Sequence, residues 1–296
     1  MEELTIGRLT PSICNTMSIC SEMAYLSYAL KIAQPKSMGA VIGTQVHWAI
    51  EEALKRRVLG ETVDIVGIQL NARKKTLEQV EKEDVKIKDI YMPFEECLKQ
   101  LDYCIEGYLK SPEFLSLQPQ GEFEEIEHFF KFFVKPIDGK LDLITVPKPG
   151  YLSLTGKTDF LEWNEDQKAL RIIDYKTGSA RFPWEMSKVR KRIQFRVYAW
   201  ILSKAFEVDE VDMVAHIINK SAGKTAKPVA VQEFATTFDS KDLADCERQM
   251  IGFYTMVTQN IHFYCDNCPG YCAYKDLCGK HITPKDPSID DMDWVL

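Results

Sequence analysis

The order in which hydrophobic periodicities change along this chain limits its fold more than any other feature. Residues 10–34 carry apolar positions at mixed spacing (Ile13, Met17, Cys20, Ala24, Leu26) after Thr10-Pro11-Ser12, which predicts a helix. Gly43 to Arg57 predicts a second, because Val46, Ile50, Ala53 and Leu54 fall on one side at the helical period. A charged stretch, Arg73–Lys88, follows, then a third helix over about Pro93–Lys110, proline being favourable near a helix start. From Phe123 to Lys176 the pattern turns to short β-rich runs: Phe129–Val134, Lys140–Val146, Leu152–Trp163 and Ala169–Tyr175, divided by turn signals such as Pro147-Lys148-Pro149-Gly150. Pro183 opens a long helix to about Phe206, strands follow at about Val211–Asn219 and Val229–Thr237, and Ser240 caps a helix to about Gln259. A Cys-rich stretch and an acidic end, Asp286–Asp293, come last. Helices, meander, strand, helix, strand, helix imply an α/β core with a helical N-terminal layer. No linker-like segment divides it. Residues 1–296 therefore read as one domain, mainly helical over 1–120, with a core over 121–260 and a Cys-rich tail over 261–296.

Composition removes several function classes. The longest apolar runs are about six residues, as in Val197–Leu202, against the roughly 20 that span a membrane. The start, Met1-Glu2-Glu3-Leu4, lacks the basic and apolar regions of a secretory signal, so a cytoplasmic location is expected. With 37 basic and 44 acidic side chains, the net charge is −7, which excludes nucleic-acid binding through bulk positive charge. A local basic patch remains open at Arg181–Arg196, where Arg181, Lys188, Arg190, Lys191, Arg192 and Arg196 meet one acid, Glu185. Its plain alternative is a solvated helix face. The nine cysteines are clustered, four of them within Cys265–Cys278. In a cytosolic chain such clustering points to metal or an iron–sulfur cluster rather than disulfides.

Four spaced elements carry chemistry. On the second helix, Gly43-Thr44-Gln45-Val46-His47 is followed by Glu51, and His47 and Glu51 share one face as an i, i+4 pair; a half-buried His beside a solvated Glu is the plain alternative. Gly156-Lys157-Thr158-Asp159 lies inside a strand-like run, where Asp159 among Leu154, Phe160 and Leu161 is either a site residue or a hairpin Asp. Ile172-Ile173-Asp174-Tyr175-Lys176 puts Asp174 and Lys176 on one face of a strand. A carboxylate and an ammonium side by side at the end of an apolar strand suit a site: the carboxylate binds a divalent metal and the ammonium sits beside the water that the metal activates. Asp159, fifteen residues upstream, strengthens that reading. Gln194 and Tyr198 form a second i, i+4 pair on the following helix, otherwise an ordinary half-exposed face.

Taken together, these elements resemble the RecB-like branch of the PD-(D/E)XK nuclease superfamily. That branch runs Gly-Thr and a helical His, then Gly-x-x-Asp, then Asp-x-Lys, then Gln-x-x-x-Tyr, and the match spans about residues 10–280. The resemblance implies a restriction-endonuclease-like core, a central mixed sheet flanked by helices. It implies a metal-dependent DNA exonuclease acting on single strands or DNA ends. Asp159 and Asp174 would be the main ligands of Mn2+ or Mg2+, with His47 and the Tyr175 carbonyl completing the set. Lys176 would orient or deprotonate the attacking water, Gln194 would position Lys176 or that water, and Tyr198 would hold a DNA phosphate.

The cysteines extend the resemblance to members with an iron–sulfur cluster, such as the AddB nuclease domain and CRISPR-associated RecB-like exonucleases. These place one Cys before the His helix and three after the core. Cys20 fits the first, and Cys272 and Cys278 fit a Cys-x5-Cys half. Where the family has its remaining ligand this chain has Pro269; Cys268 restores the set with one inserted residue, and Cys265 is the alternative. A 4Fe-4S cluster is the implied cofactor, with zinc on the same thiolates as its structural alternative. Cys14, Cys97, Cys104 and Cys246 read as ordinary buried thiols. The competing function is a DNA-end-binding module within a recombination or CRISPR-adaptation complex, with cleavage secondary.

Overall fold

The computed structural model describes residues 6–32, 36–82, 93–117, 119, 126–179, 184–220, 231–263, 272, 274, 277 and 278. A short strand, β1 (Arg8–Leu9), leads into α1 (Pro11–Ile19). Thr10 caps α1 by accepting from the Ile13 N–H at 3.0 Å, and Pro11 fills the first turn. The single helix expected over 10–34 is interrupted at Cys20, whose backbone is extended and whose sulfur accepts from the Met23 N–H. α2 (Ser21–Ala24) and a π-helical turn (Tyr25–Ala29) follow.

Ser37 caps α3 (Met38–Val58), which begins five residues before the expected Gly43. The charged stretch at Arg73 belongs to a helix, α4 (Ile65–Lys82), of which Ile68, Ala72 and Thr76 are buried at four-residue spacing. So narrow a buried stripe, with Val66, Leu70 and Leu77 left exposed among the polar and charged residues, makes its periodicity faint. α5 (Phe94–Leu109) and α6 (Pro112–Ser116) complete this helical half.

β2 (Phe129–Ile137), β3 (Lys140–Ile144) and β4 (Leu152–Lys157) join β1 in a sheet ordered β1-β4-β2-β3. The continuous run expected over Leu152–Trp163 turns a corner at Thr158–Asp159. β5 (Phe160–Asn164) enters a second sheet, β5-β6-β7-β8, with β6 (Ala169–Ser179), β7 (Val211–Lys220) and β8 (Val231–Phe238). The corner is seamed to the residues just before β2 by the Thr158 N–H on the His128 carbonyl and the Glu127 N–H on the Asp159 carbonyl, each 3.0 Å. β6 and β7 run parallel, so a crossover must join them. It consists of α7 (Met186–Lys191) and α8 (Ile193–Phe206), split by an extended Arg192 where the sequence predicts one long helix; Pro183, its expected start, lies outside the described residues. α9 (Ser240–Thr258) is capped by Asp239, not Ser240.

β7 is buried almost throughout, as a strand covered on both faces must be. Its Met213, Ala215 and Ile217 join the core built on α1, α8 and α9, while Val214 and Ile218 join the one built on α3, α4 and α5. The second sheet is thus a layer between helices, an α/β arrangement of mixed sheets flanked by helices with a helical N-terminal half. No helix among the described residues is long and apolar enough to cross a membrane.

Candidate active site

Asp159 sits at the corner between the two sheets, just before Phe160, which pairs with Ile173. One step further along that ladder, Asp159 stands beside Asp174 of β6. α3 brings His47 over the same point: its Nδ1 lies 3.1 Å from Asp159 Oδ1. The other Asp159 oxygen accepts from the Tyr175 N–H at 2.8 Å. Lys176, two residues beyond Asp174 and on its face of β6, puts its ammonium against Asp174 Oδ2 and 3.4 Å from the Tyr175 carbonyl. Three segments distant in sequence therefore place His47, Asp159, Asp174 and Lys176 together. The Tyr175 ring points to the opposite face, edge-on to His47 and Tyr108.

The electrostatics are those of a crowded, partly buried site. Burial, the largest influence on each group, would neutralise both carboxyls and the imidazole. For Asp159 the neighbouring His47 and Lys176 and the Tyr175 N–H outweigh it, holding the carboxyl well below the usual range. For Asp174 burial prevails and Asp159 adds repulsion, so its pKa is raised although Lys176 pulls it down. His47 is raised, because burial is overcome by facing Asp159.

Asp174 Oδ2 is buried without a well-directed hydrogen bond, although the Lys176 ammonium lies against it. Buried Asp174 and half-buried Asp159, two mutually repelling carboxylates, are hard donors suited to a small divalent cation, with the His47 imidazole as a borderline neighbour. As placed, the carboxylates turn to His47 and Lys176. Among the described residues no three His, Cys, Asp or Glu side chains are disposed as a metal-ligand group.

Gln194 and Tyr198 meet on α8, amide nitrogen to hydroxyl at 3.4 Å. The Tyr198 hydroxyl does not face solvent; it donates to the Lys157 carbonyl at 2.9 Å, two residues before Asp159. Burial pushes its pKa up, so it remains a donor. Glu51 is taken by Lys55 on α3 and does not join the cluster. Of the basic run, Arg190 pairs with Asp242, Arg196 donates to Gln249 and Arg192 lies over the Trp184 ring; Arg181 lies outside the described residues.

Sequence reasoning missed a polar string beneath the cluster. The Tyr108 hydroxyl is 2.8 Å from His216 Nδ1, whose Nε2 is 3.1 Å from Glu233, and His216 pairs with Tyr175 in the β6–β7 ladder. A histidine amid Val214, Ala215, Ile217 and Ile218 is the signal that could have revealed it.

Cys20 is buried and Cys272 half-buried in one small cluster with Met23, Leu26 and Tyr274, and Cys278 is buried one turn after Tyr274. Cys265 and Cys268 lie outside the described residues. Cys14, Cys104 and Cys246 are buried and Cys97 is half-buried; burial pushes Cys104 and Cys246 up to about 12, as inert thiols.

Comparisons with known proteins bear on the family and the fold. A family model described as the PD-(D/E)XK nuclease superfamily matches residues 8–279. A solved structure of a candidate exonuclease from Eubacterium rectale is similar at a TM-score of 0.51 and 14% identity, covering 98% of this chain and 94% of that one. At that identity the likeness speaks to the fold. The structure of SSO0001 covers 81% of this chain and 98% of its own at 15% identity, with a TM-score of 0.31. No curated protein matches the sequence.

Proposed function

The chain belongs to the PD-(D/E)XK nuclease superfamily, and from that premise we propose that it is a divalent-metal-dependent DNA exonuclease of the RecB-like type, acting on single strands or DNA ends. The observation that carries this reading is the meeting of His47, Asp159, Asp174 and Lys176, drawn from three distant segments, at one partly buried point.

Asp159, Asp174, His47 and the Tyr175 carbonyl would hold Mn2+ or Mg2+, the imidazole favouring Mn2+. Such a cation, when bound, neutralises charge on the scissile phosphate and lowers the pKa of a bound water. Lys176, steadied by Asp174, holds its ammonium where negative charge grows during attack and orients the attacking water through Nζ. Asp159 is fixed in place by His47 and the Tyr175 N–H. Gln194 and Tyr198 act through the Lys157 carbonyl, which steadies the corner carrying Asp159. Cys20, Cys268, Cys272 and Cys278 would hold a 4Fe-4S cluster with a structural role; the common environment of Cys20 and Cys272 supports this.

Labelled single-stranded DNA, duplex DNA and RNA are incubated with the protein in Mn2+, Mg2+ or EDTA. Single-stranded DNA or DNA ends should be shortened with either metal and spared in EDTA. Asp174→Ala and Lys176→Ala, each folded by circular dichroism, should lose at least about 100-fold in rate, the scale of removing one preorganised charge from a transition state. Full metal-dependent cleavage by both variants rejects the assignment.

A further inference from the structure

α3 carries a second set of residues beside the catalytic one. At about 100° per residue, Thr44 and Trp48 lie one strip round the helix from Gly43 and His47. They face α4 across an open groove of about 330 Å3, completed by Gln45, Lys75, Glu78 and Lys82 among others. Three features of this groove are unexplained by the chemistry already described. The Trp48 indole is half-exposed, and its face carries the Lys75 ammonium 4.8 Å from the ring centroid. Two ammonium groups, Lys75 and Lys82, oppose one carboxylate, Glu78, on the wall of a protein whose net charge is −7. Gln45 is only 6% exposed, and while its amide nitrogen donates to Gln79 at 3.0 Å, its Oε1 has no partner among the described residues. A buried acceptor without a donor is costly and asks for something to supply one.

We propose that this groove is a nucleotide subsite for single-stranded DNA: one base stacks on Trp48 with its polar edge toward the Gln45 side chain, while its flanking phosphates take Lys75 and Lys82. An aromatic face beside backbone-tracking cations is the combination that holds unpaired strands, because every base has a face to stack and every linkage a charge. A duplex, whose bases are stacked and paired, cannot present one to the indole without flipping it out. Lys75 then has two positions, over the indole when the groove is empty and on a phosphate when a base replaces it. Trp48 is the chain neighbour of His47, so a strand held here is led toward the catalytic cluster. This assignment rests on the nuclease reading for its substrate and adds a site outside the catalytic machinery.

The test is fluorescence anisotropy of a labelled oligonucleotide with the full-length protein in EDTA, alongside cleavage of the same strand in Mn2+. Trp48→Ala should weaken single-strand binding about 5- to 150-fold, the worth of one stacked base. Trp48→Phe, which keeps a ring, should recover most of it. Lys75→Ala should reduce the slope of log K against log salt by about 0.7, as one ionic contact with a single strand does. Wild-type strength in Trp48→Ala, or an unchanged salt slope in Lys75→Ala, overturns the subsite. Wild-type protein that binds strands in a Trp48-dependent manner yet cuts nothing in Mn2+ upholds the subsite and sinks the nuclease reading. Cleavage with binding indifferent to Trp48 does the reverse.

Discussion

Lys157 ends β4 with its carbonyl accepting from the Tyr198 hydroxyl at 2.9 Å, and two residues later Asp159 joins His47 in the candidate site. The Gln-x-x-x-Tyr pair on α8 suggests by resemblance that the tyrosine holds a phosphate. The geometry gives its hydroxyl a backbone partner instead, and burial keeps it protonated as a donor. The two roles separate experimentally. If the hydroxyl held a DNA phosphate, Tyr198→Phe would weaken binding and raise KM. A slackened corner would misplace Asp159 and lower kcat, since small misalignments of reacting groups are expensive. Tyr198→Phe is expected to lose about 1 kcal/mol of stability in urea, the net worth of one hydrogen bond, and to show its kinetic loss mainly in kcat. A defect confined to KM would return the tyrosine to the DNA.

At the scale of elements, two glycines show why the motif has the letters it has. A Cβ on Gly156 would stand 2.3 Å from the Phe130 ring of the neighbouring β2, and one on Gly43 would stand 3.2 Å from Thr177 Oγ1 of β6. Gly156 lets β4 lie under that ring before the chain turns toward Asp159; Gly43 lets α3 approach β6 closely enough for His47 to reach the cluster. Gly156→Ala should cost about 1–3 kcal/mol by overpacking and reduce nuclease activity with it, read by paired urea melts and rate assays. Unaltered melting would mean that the Phe130 ring moves aside freely. The same packing explains what is readable from sequence alone. The four motif pieces, the meander and the crossover are local patterns of spacing, and they are legible. The break at Cys20 and the corner at Thr158–Asp159 are not, because each is set by a partner far along the chain; the split at Arg192 is not legible either. α4 is hidden by its narrow buried stripe: Ile68, Ala72 and Thr76 suffice to bury it only because α3 and α5 are already there. The Tyr108–His216–Glu233 string joins three elements, and the sequence shows each member singly.

Across the whole molecule, the two ends of the chain close on each other beside the core. Ser21 donates to the Phe263 carbonyl at 3.1 Å, Glu22 pairs with His262, and the His262 ring stacks on Tyr25 at 4.2 Å. Farther on, Tyr274 donates to the Ile32 carbonyl at 2.8 Å and meets Ser27 at 2.9 Å, joining residues more than 240 positions apart. Closing so long a loop carries an entropic cost that a few hydrogen bonds, each of modest net worth, offset only in part. A cluster ligated by Cys20 at one end and Cys272 and Cys278 at the other would hold the closure with bonds that exist only in the fold. Cys278→Ser purified without oxygen should therefore lose the brown colour and at least about 2 kcal/mol of stability, roughly a 30-fold shift toward the unfolded state. Cys246→Ser, at a thiol buried elsewhere, should keep the colour. A colourless wild-type protein carrying zinc would replace iron–sulfur with zinc at the same thiolates. Unchanged stability in Cys278→Ser would leave the closure to Ser21, Glu22 and Tyr274 and remove the staple altogether.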